Sequence, residues 1–297
     1  MIETAGVIGV GAMGMGIVQS LIRARCQTFA RDIDVQREVL ARDHGAQVVS
    51  SARALGQAAQ AIFVVVVDAS QIDDVLQGES GLLAALRPGK QVFLCSTIAP
   101  TDALRFARAI AATGADALDA PISGGPARAQ AGTMSMMLAG NPSVIHALEP
   151  LLEAVAAKRF LISEHCGDAA KAKLVNNLMA GINLMAGAEA LALAVRLGLD
   201  PRQMFDLISV SSGQSWMFED RMSRALQGDF APRAQSHVLT KDLTLANQAA
   251  SDAGVELPLG AIARDLLKAT CDGGWRMEDD AAALKYYLAR FGVALER

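Results

Sequence analysis

The segment Gly9-Val10-Gly11-Ala12-Met13-Gly14 constrains this chain more than any other, because of what stands on either side of it. It follows the apolar pair Val7-Ile8 and opens a stretch, residues 13–25, whose apolar side chains recur at helical spacing. Strand, tight turn and helix in that order begin a βαβ unit. Gly9 allows the turn, Gly11 leaves the backbone bare, and Gly14 lets helix and strand pack closely. The N–H groups at the start of the helix, those of Ala12 and Met13 among them, favour phosphate together with the helix dipole. Taken alone, such a loop is equally consistent with a structural turn. Asp32 follows Gly14 by 18 positions, where a second strand should end, and its carboxylate suits the hydroxyls of an adenosine ribose. Loop and acid together point to a dinucleotide.

The same acid bears on which dinucleotide. A 2′-phosphate beside Asp32 would meet like charge, so NAD is expected rather than NADP. Arg31 is the residue able to pair with such a phosphate, but strand alternation points it away from Asp32.

A chain of 297 residues that is 52% hydrophobic can bury a large core and form two domains. Its formal charge is −4 with no basic block, which argues against nucleic acid as a partner. Cys26, Cys95, Cys166 and Cys271 are far apart, without CxxC or Cys/His spacing, so no metal site and no disulfide framework is expected. A reducing, cytoplasmic setting fits. No charged-then-apolar leader precedes the glycine loop. The uncharged stretch 174–188 is short for a bilayer and contains Asn176, Asn177 and Asn183, so no membrane partner is expected.

Along the first half, β-like runs alternate with helical patterns. Residues 61–67 form an unbroken run rich in β-branched residues, as in a strand buried on both faces of a parallel sheet. Residues 91–95 form another, after the turn Arg87-Pro88-Gly89-Lys90. Later strands are expected at 117–120, 134–139 and 160–162. This alternation predicts an α/β domain of the Rossmann type, a doubly wound parallel sheet, over residues 1–163. Ligands of such sheets bind beyond the C-terminal strand ends, so Asp68, Thr97 and Ser123 should share one crevice. From 164 to 297 the β runs disappear. One long helix is expected over 168–197, closed by Gly198, and joins the domains. Helices over 201–211, 215–226, 236–253, 258–271 and 278–290 complete an all-helical second domain.

Lys173 and Asn177 are four apart on the long helix and share one face. Leu174, Val175, Leu178 and Met179 surround them, and burial against that surface would disfavour an ammonium. A general acid/base lysine requires this. Against it stands the commoner fate of a helical lysine, a stem along the surface and a head in water. Lys171, on another face, is assigned to that fate. Asp119-Ala120-Pro121-Ile122-Ser123-Gly124-Gly125-Pro126 is a second candidate, since two glycines after a serine leave N–H groups open to a carboxylate. A structural turn is the equal alternative there, and Lys241-Asp242 looks like an exposed ion pair. Four histidines make no local cluster, and the G-x-S-x-G signature is absent. Met134, Met136 and Met137 are expected to fill core.

Taken in order, these segments resemble the β-hydroxyacid dehydrogenase family over essentially the whole chain. The matching motifs are Gly9 to Gly14, Ser96-Thr97-Ile98, Asp119 to Gly125, Lys173-Leu174-Val175-Asn176-Asn177 and Lys241-Asp242-Leu243. The resemblance implies that Lys173 is the catalytic acid/base and that Asn177 orients the substrate hydroxyl. It also implies that Ser123, Gly124 and Gly125 hold the substrate carboxylate. Thr97 and Lys241 would line the nicotinamide end, Lys241 also facing substrate, with Val67 and Asp68 meeting the cofactor. A homodimer or homotetramer is the family expectation.

Within the family, Ser215-Trp216-Met217-Phe218-Glu219-Asp220-Arg221-Met222 looks most like the L-threonate dehydrogenases. Asn176-Asn177, by contrast, is the pattern of the 3-hydroxyisobutyrate enzymes. Val67-Asp68 stands where the family often has Leu-Pro, and Ala169 stands where a glycine is usual. The expected function is NAD-dependent oxidation of a small β-hydroxy acid, L-threonate or another sugar acid. The alternatives are 3-hydroxyisobutyrate oxidation and 2-hydroxy-3-oxopropionate reduction. Imine reductases share the fold but usually lack the lysine, and a non-catalytic NAD(H) sensor has no need of Lys173, Asn177 and the Ser-Gly-Gly loop together.

Overall fold

In the computed structural model, residues 3–295 are described, so the outermost residues of both expected domains, 1–2 and 296–297, lie outside the described part. The chain divides into two compact units, Met1–Lys173 and Leu174–Arg297.

The strands of the first unit are β1 (Thr4–Ile8), β2 (Gln27–Arg31), β3 (Gln47–Val48), β4 (Ala61–Val64) and β5 (Gln91–Leu94). They continue with β6 (Asp116–Asp119), β7 (Ile122–Ser123), β8 (Ser135–Ala139) and β9 (Lys158–Ser163). Between them run α1 (Ala12–Arg23), α2 (Val35–Asp43), α3 (Ala52–Ala58), α4 (Ala69–Leu76) and α5 (Pro100–Ala111). Three short helices, α6 (Gly125–Ala131), α7 (Pro142–Ala147) and α8 (Glu149–Val155), lie among the last strands.

Strand order is β3-β2-β1-β4-β5-β6-β8-β7, with β9 paired to β8. The order reverses beside β1, so a crevice opens past the C-terminal ends of β1 and β4, immediately at the glycine loop. Alternation along the strands sorts the core. Val7, Phe63, Phe93, Leu118 and Met136 face one side, and Ile62, Val64, Val92 and Leu94 face the other. Phe63 and Phe93 are register partners whose rings stack at 4.5 Å between centroids. Met134, Met136 and Met137 are buried, as core filling requires.

The sheet departs from the expected all-parallel form at one end, where β8 runs antiparallel to β6 and to β7. The reversal comes after β7: the chain passes through the seven-residue α6 and returns as β8, too short an excursion to cross over the sheet and come back parallel. The expected strand bounds shift by a residue at 91–95, 117–120 and 134–139, and by more at two places. The run expected to reach residue 67 leaves the sheet at Val64, because β1 beside it ends at Ile8. The last strand is longer than expected, Lys158–Ser163, with Phe160, Leu161 and Ile162 exposed.

The helix α9 (Asp168–Arg196) starts in the first unit and continues into the second. By length and composition alone the whole helix could span a bilayer, although its uncharged stretch 174–188 is shorter than that. Its second half, however, supplies Leu184, Met185, Ala188, Leu191 and Ala192 to the core of the second unit. The remaining helices are α10 (Pro201–Ser209), α11 (Trp216–Ala225), α12 (Ser236–Asp252), α13 (Pro258–Thr270) and α14 (Ala283–Phe291). Their ends differ from the expected ones by one or two residues, except at the start of the last helix. A single π-type turn, Cys271–Trp275, follows α13, and the last helix starts late, after a 3-10 turn at Asp280–Ala282. Asp279 explains the delay: its carboxylate accepts the N–H groups of Arg233, Ala234 and Ala281, which holds residues 278–279 out of the helix. Around it, Arg221 and Arg224 are buried against Asp279 and Asp280.

Candidate active site

Gly9 has φ +88°, and a Cβ on Gly14 would lie 1.9 Å from the Gly9 carbonyl oxygen. Both glycines are therefore required by the turn itself. Gly11 precedes α1, no side chain caps this helix, and its first turn holds no acidic residue. The N–H groups of Ala12 and Met13 are thus left to an external acceptor. A dinucleotide pyrophosphate fits such a cradle.

Asp32 is buried at the end of β2, and both of its carboxylate oxygens are engaged by backbone. Oδ2 accepts the Val10 N–H at 2.7 Å, and Oδ1 accepts that of Asp34 at 2.9 Å. The acid thus ties the end of β2 to the glycine loop, with lone pairs remaining for ribose hydroxyls. Glu38 was missed by sequence reasoning. Its Oε1 receives Arg31 Nη1 at 2.5 Å and the Asp32 N–H at 3.2 Å. Arg31 is consequently occupied on its own side of the strand. Arg37 is a second residue without a sequence signal: its Nη1 lies 3.2 Å from where a Gly11 Cβ would stand.

Asp68 caps α4, accepting the Gln71 N–H at 3.0 Å, while Gln71 Oε1 accepts the Val67 N–H at 2.9 Å. The carboxylate that replaces the usual proline therefore has a local structural use, while Val67 is exposed. Thr97 follows β5 and is half-buried. Ser123 ends β7, and Gly124 and Gly125 take φ +132° and +74° at the head of α6. No residue with a Cβ would settle there easily.

On α9 the two lysines separate as expected. Lys171 is exposed and pairs with Asp168 at 2.7 Å, whereas Lys173 is only 6% exposed. Asn177, one turn further, is 8% exposed and donates from Nδ2 to Asp242 Oδ2 at 2.6 Å. Lys241 Nζ lies 2.9 Å from the other oxygen of Asp242. The Lys241-Asp242 dipeptide is thus not the exposed ion pair expected of it. Asp242 is buried, and it holds an amide and an ammonium at once. Its dipeptide was visible in the sequence, but its bond to a residue 65 positions away was not. The methyl of Ala169, at the usual glycine position, is buried with Met137 and Ala139. Among the described residues no group of His, Cys, Asp and Glu could hold a metal ion, and all four cysteines are free.

A phosphate-binding turn at a strand-order reversal and a buried lysine on the following long helix define a dinucleotide-dependent oxidoreductase. The family model described as "NAD binding domain of 6-phosphogluconate dehydrogenase" matches residues 4–166. That described as "NAD-binding of NADP-dependent 3-hydroxyisobutyrate dehydrogenase" matches residues 167–287. The L-threonate dehydrogenase of Cupriavidus necator is 39% identical over 97% of each chain. That of Escherichia coli O6:H1 is 38% identical, over 95% of this chain and 94% of the relative. A solved 3-hydroxyisobutyrate dehydrogenase from Salmonella typhimurium is 35% identical with TM-score 0.89, over 95% of this chain and 99% of that one. The chain belongs to the β-hydroxyacid dehydrogenase family, NAD(P)-dependent oxidoreductases acting on small hydroxy acids.

Proposed function

We propose that this enzyme oxidises a polyhydroxylated β-hydroxy acid of the L-threonate type with NAD, using Lys173 as general acid/base. The observation that carries the reaction is the burial of Lys173 on α9, one turn before an Asn177 held by Asp242. A bound NAD would supply the acceptor for the hydride of the carbinol carbon. The glycine loop, with Ala12 and Met13, would hold its pyrophosphate, Asp32 its ribose, and Val67, Asp68 and Thr97 its nicotinamide side. Lys173 takes the hydroxyl proton as the hydride leaves, and returns it in the reverse direction. Asn177 orients the hydroxyl, Lys241 faces substrate and nicotinamide, and Ser123, Gly124 and Gly125 receive the carboxylate. NAD is favoured because Glu38 already occupies Arg31, the cation a 2′-phosphate would need.

The substrate class is supported by the two L-threonate dehydrogenases and by the resemblance of residues 215–222. A polyhydroxylated acid would pair pocket groups that 3-hydroxyisobutyrate leaves unpaired, at a cost of about 1–3 kcal/mol each. Turnover with NAD and a panel of hydroxy acids tests this. Sugar acids are expected to exceed 3-hydroxyisobutyrate in kcat/KM by at least about tenfold, the factor that 1.4 kcal/mol supplies. The reverse preference would support the second reading, 3-hydroxyisobutyrate oxidation, which Asn176-Asn177 and the Salmonella structure favour. We further propose a cytoplasmic homo-oligomer, supported by the free cysteines and by exposed Val175, Met179 and Leu193 along α9.

A further inference from the structure

Asp119 closes β6 and is 2% exposed. What it meets is backbone. Its Oδ2 accepts the N–H of Gly167 at 2.8 Å and that of Ala170 at 2.9 Å, residues 48 and 51 positions later in the chain. Gly167 directly precedes α9, and Ala170 is the third residue of the helix. An acceptor on the third helical N–H is what a capping side chain normally provides from the residue just before the helix. Gly167 has no side chain, and its φ of +101° keeps it in a glycine conformation. The cap therefore comes from a strand of the sheet.

The same segment is fixed at three further points. Cys166 Sγ lies 3.6 Å from the carbonyl oxygens of both Ala117, on β6, and Ala139, on β8. Ala169 is buried with Met137 and Ala139, and Ala170 joins the core that holds Ile62, Val64, Val92 and Leu94. Lys173 follows Ala170 by one turn and so rides on this anchored end. In the other direction, four residues after Asp119, the chain reaches Ser123-Gly124-Gly125. One carboxylate therefore links the strand leading into that loop with the turn carrying the lysine.

We propose that Asp119 is a positioning residue for Lys173: by capping α9 from β6, it sets the lysine in register with the Ser123–Gly124–Gly125 loop. The inference rests on Lys173 being the acid/base, and the test separates the two. Asp119→Ala, Asp119→Asn, Lys173→Ala and the Asp119→Ala/Lys173→Ala pair are compared in kcat, KM, NADH dissociation constant and melting temperature. Misplacing a reacting group by about 1 Å costs on the order of 100-fold, so Asp119→Ala should lose about 10- to 100-fold in kcat. NADH affinity should stay within about twofold, because the glycine loop is untouched. Asp119→Asn keeps an acceptor oxygen and should recover at least about threefold over alanine. In the absence of Lys173, removing Asp119 should cost nothing further, since the two act as a unit.

A folded Asp119→Ala enzyme with kcat within about threefold of the parent would overturn the proposal, as would full additivity in the pair. If the alanine variant does not fold, Asp119→Asn decides: unchanged kcat together with unchanged amide exchange at Ala170 supports it. Lost kcat with that amide still protected overturns it. Lys173→Ala with near-normal turnover sinks the acid/base reading itself, whatever Asp119 does.

Discussion

Lys171 and Lys173 stand two positions apart on α9, and the fold treats them in opposite ways. The first is exposed beside Asp168, the second is buried. Lys173→Ala is expected to lower kcat by about 10²–10⁴-fold, the usual worth of general acid–base assistance, with NADH binding nearly intact. Lys171→Ala serves as the control and should leave both unchanged. A Lys173→Ala enzyme retaining more than about a tenth of the turnover removes the lysine from the mechanism. At Asp32 the expected preference for NAD has two structural parts, the carboxylate itself and the Glu38 that occupies Arg31. Asp32→Ser alone should weaken NAD, because the Val10 N–H loses its acceptor, while gaining little NADP activity. Asp32→Ser/Glu38→Gln also frees Arg31, and should raise kcat/KM for NADP by about tenfold over the single variant, the worth of one charge-assisted contact. A parent enzyme already preferring NADP would reverse this assignment. Asp32 was legible from its spacing after Gly14; Glu38 was not, because only the folding of α2 back onto β2 brings it to Arg31.

At the scale of elements, period and punctuation located α9 to within a residue, because Gly198 ends a long apolar pattern and Asp168 begins it. The same reasoning overran β4, since a β-branched run carries no mark of where its neighbouring strand stops. The antiparallel β8 was illegible for a related reason: pairing direction follows from the return path of the chain, not from side-chain pattern. Most of the candidate site lay in short motifs and so was readable, whereas the bonds that hold it come from other elements. Asp242 is the clearest case. It sits on α12 and grips Asn177 and Lys241 together. Asp242→Ala should therefore lower kcat/KM for the hydroxy acid by about 10- to 100-fold through displaced groups, with NADH affinity within about twofold. Asp242→Asn keeps an acceptor for Asn177 and should lose less. Equal activity of Asp242→Ala and the parent would show that Asn177 needs no such support.

For the molecule as a whole, each unit carries one buried carboxylate that burial pushes up to about 6. They are Asp119 in the first and Asp280 in the second. Around Asp119 the N–H groups of Ala170, Gly167 and Ala169 oppose the shift, and Asp168 adds to it. Around Asp280 the charge of Arg221 opposes it, and Asp279 adds to it. A carboxyl whose folded pKa exceeds its unfolded one favours the folded state most when protonated. Its contribution is fully present below about 4 and is lost as pH rises through about 6. Other carboxylates act in the opposite sense. Asp73, held low by Arg105, and Asp168, held low by Lys171 and Ser163, contribute stability that disappears as pH falls below their usual range. Asp279 joins them: burial works against its ionised form, but Arg221 and Arg224 outweigh it. The two trends cross, so thermal stability should peak between about pH 4 and 6 rather than at neutrality. Melting followed from pH 4 to 8 should show a higher midpoint at pH 5.5 than at 7.5. Asp119→Asn should reduce that difference, since an amide has no proton to release. A midpoint that climbs steadily to pH 8 would mean that both buried carboxyls are ionised in the folded protein well below pH 6.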